Sequence, residues 1–261
     1  MKEAFSITLV QSNPVWKNTT ANLHSIEEMV ASIAVPTDLI LLPEMFNTGF
    51  IMTPQKYAET MEGQTLQWMQ TLAKQYHTAI AGSLIIEENE QYFNRFVFVH
   101  HSGAHVHYDK KHLFSYAGED KHYTAGTHRL IFEYKGWKIA PFVCYDLRFP
   151  VWSRNTEDYD IALYVANWPA ERSLAWNALL KARAIENVCY TVGINRIGSD
   201  ENGLQYIGDS QIIGPSGEEI FLEKSQKETI TTQHLSRETL VTTRKKYPFL
   251  NDSDHFKLEN D

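Results

Sequence analysis

Short apolar runs alternate with amphipathic segments along this chain, and no other feature restricts its fold as strongly. SITLV, residues 6–10, precedes a segment from Asn18 to Ile33 whose Leu23, Ile26, Met29, Val30 and Ile33 share one helical face, and DLILLPE, residues 38–44, follows. A second amphipathic segment, TLQWMQTLAKQY, leads into TAIAGSLII, and a long helix expected from Ser173 to Asn187 separates YDIALYVAN from CYTVGINRI. A hydrophobic period that switches between about 2 and 3.6 residues marks β-strands joined by helices. Three hairpins are predicted beside these units, turning at Ser102-Gly103, near Lys135-Gly136 and around Pro215-Ser216-Gly217. The result is an α/β protein with mixed sheets covered by helices, either as a three-layer stack or as two sheets packed together.

No Pro/Gly/Ser-rich linker, composition break or repeat divides the chain, so one domain is expected over residues 1–250 after a final helix from about Ser236 to Lys246. Residues 251–261, NDSDHFKLEND, are polar and acidic and are expected to form a mobile or partner-dependent tail. A formal charge of −8, with no basic run, disfavours nucleic acid and anionic membranes as partners. No segment approaches the ~18 apolar residues of a membrane span, and the N-terminus lacks the pattern of a signal peptide, so a cytosolic location is expected. In that setting Cys144 and Cys189 are expected as free thiols.

Three ionisable residues share one placement: Glu44 ends LILLPE, Lys110 ends HVHYDK and Cys144 ends IAPFVC. In open α/β sheets ligands bind beyond the carboxyl ends of strands, so three such residues can converge on one pocket. A cysteine thiol, with an ordinary pKa of about 8.5, needs a base or a positive charge before it attacks. A glutamate can take the proton, and an ammonium, helped by the backbone N–H of Tyr145, can hold the oxyanion formed at a carbonyl. Each residue also has an ordinary explanation, as a packed cysteine, a helix cap or a solvated lysine. Cys189, inside VCYTVGI, reads as core. The histidines at 100–101 and 105–107 lack zinc-site spacing and read as solvent-facing strand residues, and Arg183 and Glu186 read as helix-surface or interface charges.

LLPEMF around Glu44, YDKKHLF around Lys110 and VCYDLRFP around Cys144 resemble, in order, the three motifs of the nitrilase superfamily of carbon–nitrogen hydrolases. The resemblance continues through GED at 118–120, YVANWP at 164–169, KARAIEN at 181–187, NRIGSD at 195–200 and GDSQIIGPSGE at 208–218, and is greatest to the bacterial ω-amidase branch. It implies a four-layer α-β-β-α sandwich, a homodimer, and no metal or organic cofactor.

By the same resemblance Glu44 is the general base, Lys110 stabilises the tetrahedral intermediate, Cys144 is the nucleophile and Glu119 orients the lysine. Strand alternation turns Lys110 and Lys111 to opposite faces, and the family pattern selects Lys110. Tyr145, Arg148, Asn167 and Trp168 are expected at the substrate, with the planar Arg148 guanidinium suited to a carboxylate. A salt bridge from Arg148 to Asp146 or a neighbouring acid is the competing explanation. The implied reaction is hydrolysis of the terminal amide of 2-oxoglutaramate or 2-oxosuccinamate, with a role in methionine salvage. Hydrolysis of a deaminated glutathione, an N-carbamoyl amine or a nitrile is a related alternative, and a non-catalytic binding protein on the same fold is a more distant one.

Overall fold

A computed structural model describes residues 2–258. Along the chain, β1 (Ala4–Gln11), α1 (Thr19–Ala31), β2 (Leu39–Leu41), α2 (Gln64–Gln75) and β3 (Ala79–Glu88) alternate, and the hairpin of β4 (Gln91–Val99) and β5 (His105–Asp109) follows. The second half holds β6 (Phe132–Tyr134), β7 (Trp137–Val143), β8 (Ile161–Ala166), α3 (Ser173–Asn187) and β9 (Tyr190–Asn195). A ribbon of β10 (Ile197–Ser199) and β11 (Gln205–Ile207) precedes β12 (Gln211–Ile213), β13 (Glu219–Leu222), β14 (Thr229–Ser236) and α4 (Arg237–Lys246). The strands form two six-stranded sheets, ordered β14-β1-β2-β3-β4-β5 and β13-β12-β9-β8-β7-β6. Except for β14, which returns to lie antiparallel to β1, each sheet comes from one half of the chain.

Alternation inside the strands decides the layering. In the first sheet Leu39, Leu41, Ala79, Ala81, Phe96 and Phe98 join the core shared with the second sheet. Their neighbours Ile40, Leu42, Ile80, Val97 and Val99 pack instead with Leu23, Ile26 and Val30 of α1 and Leu66, Met69 and Leu72 of α2. Both faces are therefore covered, and each such side chain contributes about 1.5–3 kcal/mol by leaving water. Phe5 lies 5.9 Å from Trp137 and Phe98 4.7 Å from Phe132, pairs that join the two sheets directly. On the far face of the second sheet α3 packs so closely that a Cβ on Gly193 would stand 2.5 Å from Leu180 and 2.7 Å from Trp176. The layers are thus helix, sheet, sheet, helix, which resolves the choice between a three-layer stack and two packed sheets.

Local signals act as expected at most boundaries. Asn18 accepts from Ala21 N at 3.1 Å and Ser236 from Thr239 N at 3.2 Å, so both helices start on a side-chain cap. Lys135 and Gly136 both have positive φ, 51° and 80°, as a two-residue hairpin turn requires. His105 and His107 are exposed on β5, whereas His100 and His101 are half-buried in the turn after β4, where their rings lie 3.9 Å apart. The tail is only partly described: Phe249–Asp252 forms a short 3₁₀ turn and residues 253–258 have no regular structure. Residues 259–261 of the expected tail lie outside the described residues. No helix among the described residues is long and apolar enough to cross a membrane.

Candidate active site

Strand direction brings the three motif residues together. β2 and β3 are parallel, while β3–β4 and β4–β5 are antiparallel, so β5 runs in the sense of β2. Glu44 and Lys110, just beyond the ends of β2 and β5, therefore emerge at the same edge of the first sheet. In the second sheet β7 and β8 are parallel, and Cys144 and Asn167 follow their ends. Asn167 stitches the two edges: its backbone N–H donates to Glu44 Oε2 at 2.8 Å and its side-chain amide to the Glu44 carbonyl at 2.7 Å.

Lys110 Nζ lies 3.0 Å from Glu44 Oε1 and 2.8 Å from Glu119 Oε2, all three side chains being withdrawn from solvent. Burying three charges costs several kcal/mol per ion, so the cluster depends on mutual pairing and further hydrogen bonds. Asn94 supplies some of these, donating to Glu44 Oε1 at 2.7 Å and to Glu119 Oε1 at 3.2 Å. Asn94 Oδ1 in turn accepts from Ser83 Oγ at 2.8 Å, and Glu119 accepts from Phe114 N–H at 2.6 Å. Lys111 points away, its Nζ 5.5 Å from the Trp152 ring, as strand alternation requires.

Burial works against the Lys110 charge, yet Glu119 and Glu44, with the Cys144 sulfur beside them, outweigh it and hold the ammonium above its ordinary range. Burial raises Glu119, and Lys110 only partly counters this. Burial, followed by the Glu44 charge, pushes the Cys144 thiol well above its usual value against the pull of Lys110. The site therefore favours a neutral thiol beside a carboxylate.

Cys144 itself sits at φ 43°, a left-handed conformation that costs a non-glycine residue about 1–3 kcal/mol. Asp146 supports the turn, accepting from Val143 N–H at 3.0 Å and Tyr108 OH at 2.7 Å. Its other oxygen accepts the His112 backbone N–H at 3.0 Å and meets His112 Nδ1 at 2.7 Å, tying the cysteine turn to the segment that follows Lys110. Arg183 supports the turn from α3 through a 2.6 Å bond to Leu147 O. Arg183 is buried, contrary to the expected surface charge, because its position on α3 lies over this turn rather than facing solvent. Its partner Glu186 remains partly exposed at 2.9 Å.

One pocket is lined by Glu44, Lys110, Cys144, Tyr145, Arg148, Asn167 and Trp168, and Glu119 stands just behind Lys110. The carboxylate of Asp146 is taken by other donors, and Arg148 instead lies over the Trp168 ring at 4.9 Å, so the proposed Arg148–Asp146 bridge is absent. Tyr145 is the second residue of the 3₁₀ turn that opens at Cys144, where a backbone N–H has no acceptor within the turn. Sequence reasoning missed Asn94, Asp146, Arg183 and a second pocket-lining arginine, Arg172. Of these, only Asp146 carried a signal, as an acid two residues past a candidate nucleophile.

The carbon-nitrogen hydrolase family model matches residues 6–245. The chain is 47% identical over 252 residues to the ω-amidase YafV of Escherichia coli K12, covering 97% of this chain and 98% of that protein. It is 28% identical over 253 residues to the 2-oxoglutaramate amidase of Bacillus subtilis, covering 95% and 97% of the two chains. The crystal structure of XC1258 from Xanthomonas campestris, a CN-hydrolase superfamily protein with an arsenic adduct in its active site, superposes with a TM-score of 0.96 at 39% identity over 99% of this chain and 100% of that one. With a buried Glu44–Lys110 pair beside the half-buried Cys144 at the joined edges of two sheets, and matched along nearly its whole length, the chain belongs to the carbon–nitrogen hydrolase family of the nitrilase superfamily.

Proposed function

We propose that this protein is an ω-amidase that hydrolyses the terminal amide of a short dicarboxylic acid monoamide, such as 2-oxoglutaramate or 2-oxosuccinamate, to the dicarboxylate and ammonia. The carrying observation is the shared pocket, in which Lys110 bridges Glu44 and Glu119 at 3.0 and 2.8 Å beside Cys144. A neutral thiol next to a carboxylate suits concerted proton removal: Glu44 takes the Cys144 proton as the sulfur attacks the amide carbon. Lys110 and the Tyr145 N–H hold the oxyanion, with Glu119 fixing the ammonium. Glu44 returns the proton to the leaving nitrogen, ammonia departs and a thioester remains. Glu44 then activates the water that cleaves this thioester, regenerating the thiol.

Asn167 Oδ1 has no partner among the described residues, and in this reading it accepts from the substrate amide N–H. Trp168 forms the apolar wall that carries Arg148, whose guanidinium grips the distant carboxylate. On the family resemblance the proposal extends to a cytosolic homodimer without metal or organic cofactor, acting in methionine salvage by making transamination irreversible. It extends also to a catalytic domain over residues 1–250 with a separate tail from 251.

The test is ammonia release from 2-oxoglutaramate, a nitrile, an N-carbamoyl amine and deaminated glutathione by the wild type and Cys144→Ala. A marked preference for 2-oxoglutaramate that vanishes in the variant is expected. Equal rates in the two proteins, or a preference for another substrate, would overturn the reading. Light scattering at twice the chain mass checks the dimer.

A further inference from the structure

The pocket carries a second guanidinium whose role the Glu-Lys-Cys chemistry does not explain. Arg172 lines the same pocket as Cys144 and Arg148, and its guanidinium lies 5.1 Å from the centre of the Phe114 ring. Trp168 connects the two arginines: its ring lies 4.9 Å beneath Arg148, and its Nε1 donates to the Arg172 carbonyl at 2.8 Å. Among the described residues, neither Arg148 nor Arg172 joins any ion pair.

Asp200, the other acid lining the pocket besides Glu44, is already engaged. Its Oδ2 accepts from Tyr206 OH at 3.0 Å, and its Oδ1 accepts from the backbone N–H groups of Asn202 at 2.9 Å and Leu204 at 3.0 Å. Two positive groups without carboxylate partners therefore line one pocket, each within cation–π distance of an aromatic ring.

We infer that Arg172 is a specificity-determining residue that, together with Arg148, holds two adjacent oxygens at the far end of the substrate: a carboxylate and a neighbouring 2-oxo oxygen. One guanidinium suffices for a carboxylate, since the two match as parallel forks. A second provides donors for the oxygen on the next carbon, and its charge repels an ammonium at that position. The pocket thereby prefers 2-oxo acids to saturated acids, and rejects 2-amino acids such as glutamine whose ω-amide is otherwise identical. Discrimination of this kind is a difference between binding free energies, with the second arginine supplying the repulsive part. The inference rests on the ω-amidase reading for the reaction, but the selectivity it assigns can be measured without turnover.

The experiment measures protection of Cys144 from iodoacetamide by three probes of one length: 2-oxopentanoate, pentanoate and L-norvaline, which differ only at carbon 2. In the wild type the concentration giving half-protection is expected to be lowest for 2-oxopentanoate, about 3–10-fold higher for pentanoate and at least 30-fold higher for L-norvaline. Arg172→Gln is expected to weaken 2-oxopentanoate by roughly 10-fold or more and to narrow its advantage over L-norvaline. Arg172→Lys, which keeps the charge without the fork, is expected to restore rejection of L-norvaline more fully than affinity for 2-oxopentanoate. Circular dichroism confirms that each variant is folded. Equal protection of the wild type by 2-oxopentanoate and L-norvaline, or an unchanged ranking in folded Arg172→Gln, would overturn the inference. Correct ranking without ammonia release from 2-oxoglutaramate would instead count against the ω-amidase reading and leave the two-arginine site standing.

Discussion

Asn94 donates through its side-chain amide to Glu44 Oε1 at 2.7 Å, while the same nitrogen lies 3.2 Å from Glu119 Oε1. Neither Glu44 nor Glu119 can move without breaking this bridge. Ser83 sets the direction of the amide, because its hydroxyl donates to Asn94 Oδ1 at 2.8 Å and accepts from Met45 N–H at 3.0 Å. Asn94 is thus a positioning residue that holds two acids at a fixed separation around one ammonium. Asn94→Ala is expected to lower kcat by about 10–100-fold with KM changed less than about threefold, since it removes alignment rather than substrate contacts. Steady-state kinetics decides this, and a loss confined to KM would contradict it.

The neutral thiol has a pH signature. Burial and Glu44 raise the Cys144 pKa, and Lys110 opposes them, so iodoacetamide alkylation of the free enzyme is expected to rise only above the ordinary cysteine range. Glu44→Gln removes a negative charge beside the sulfur, which makes the thiolate easier to form, and the alkylation profile moves to lower pH. Hydrolysis moves the other way, falling by about 10²–10⁴-fold as the base is lost. Opposite effects on alkylation and turnover distinguish a base from a packing residue. A Glu44→Gln profile displaced to higher pH would reject the assignment of charges.

The limits of sequence reading follow from what local patterns report. Glu44, Lys110 and Cys144 are legible because each ends a predicted strand, Glu44 and Cys144 after apolar runs and Lys110 after the alternating second strand of a hairpin. Their meeting depends on strand order and direction, which hairpin and crossover signals predict only in part. Asn94 sits inside YFNRFVFV, where period-2 alternation marks one face as buried without saying that the polar residue there reaches two carboxylates. Arg183 is harder still: α3 places it against Leu147 across 36 positions of sequence, and a charged residue on a helix reads as solvent-facing until the element above it is known. Arg172, at the start of α3, gives no periodic signal at all.

Arg183 also offers a direct test of what holds the Cys144 turn. Its guanidinium donates to Leu147 O at 2.6 Å and pairs with the partly exposed Glu186 at 2.9 Å, and its removal would leave both without this partner. Arg183→Met keeps much of the side-chain length but leaves that carbonyl without its donor, at a cost of about 1–3 kcal/mol. Because Cys144 occupies a left-handed conformation that needs support from its surroundings, kcat is expected to fall about 10-fold in protein that is still folded at the assay temperature. Thermal unfolding and initial rates should therefore change together. A lower melting temperature with unchanged kcat would show that the turn does not depend on this contact.

Asp38 supplies a pH-dependent tie between the two sheets. Its carboxylate accepts from Ser6 N–H at 2.8 Å and Lys2 Nζ at 2.6 Å at the first sheet, and from Lys135 Nζ, in the β6–β7 turn of the second, at 2.6 Å. Burial alone would raise its pKa, but Lys135, Lys2 and the Ser6 N–H together outweigh it and hold the group below the ordinary value of 3.8. A depressed folded pKa contributes stability that is present above the unfolded value and disappears as pH falls through the folded one. Solvent reaches both lysines, which screens the pairs, so Asp38→Asn is expected to cost about 1–2 kcal/mol at pH 7, or roughly 2–8 °C in melting temperature. The gap between wild type and variant should stay constant from pH 7 down to about pH 4 and close only below 3.8, which melting curves at stepped pH measure. A gap that closes between pH 7 and 5 would mean that a histidine, not Asp38, carries the pH dependence, because only a group titrating in that range can remove the difference there.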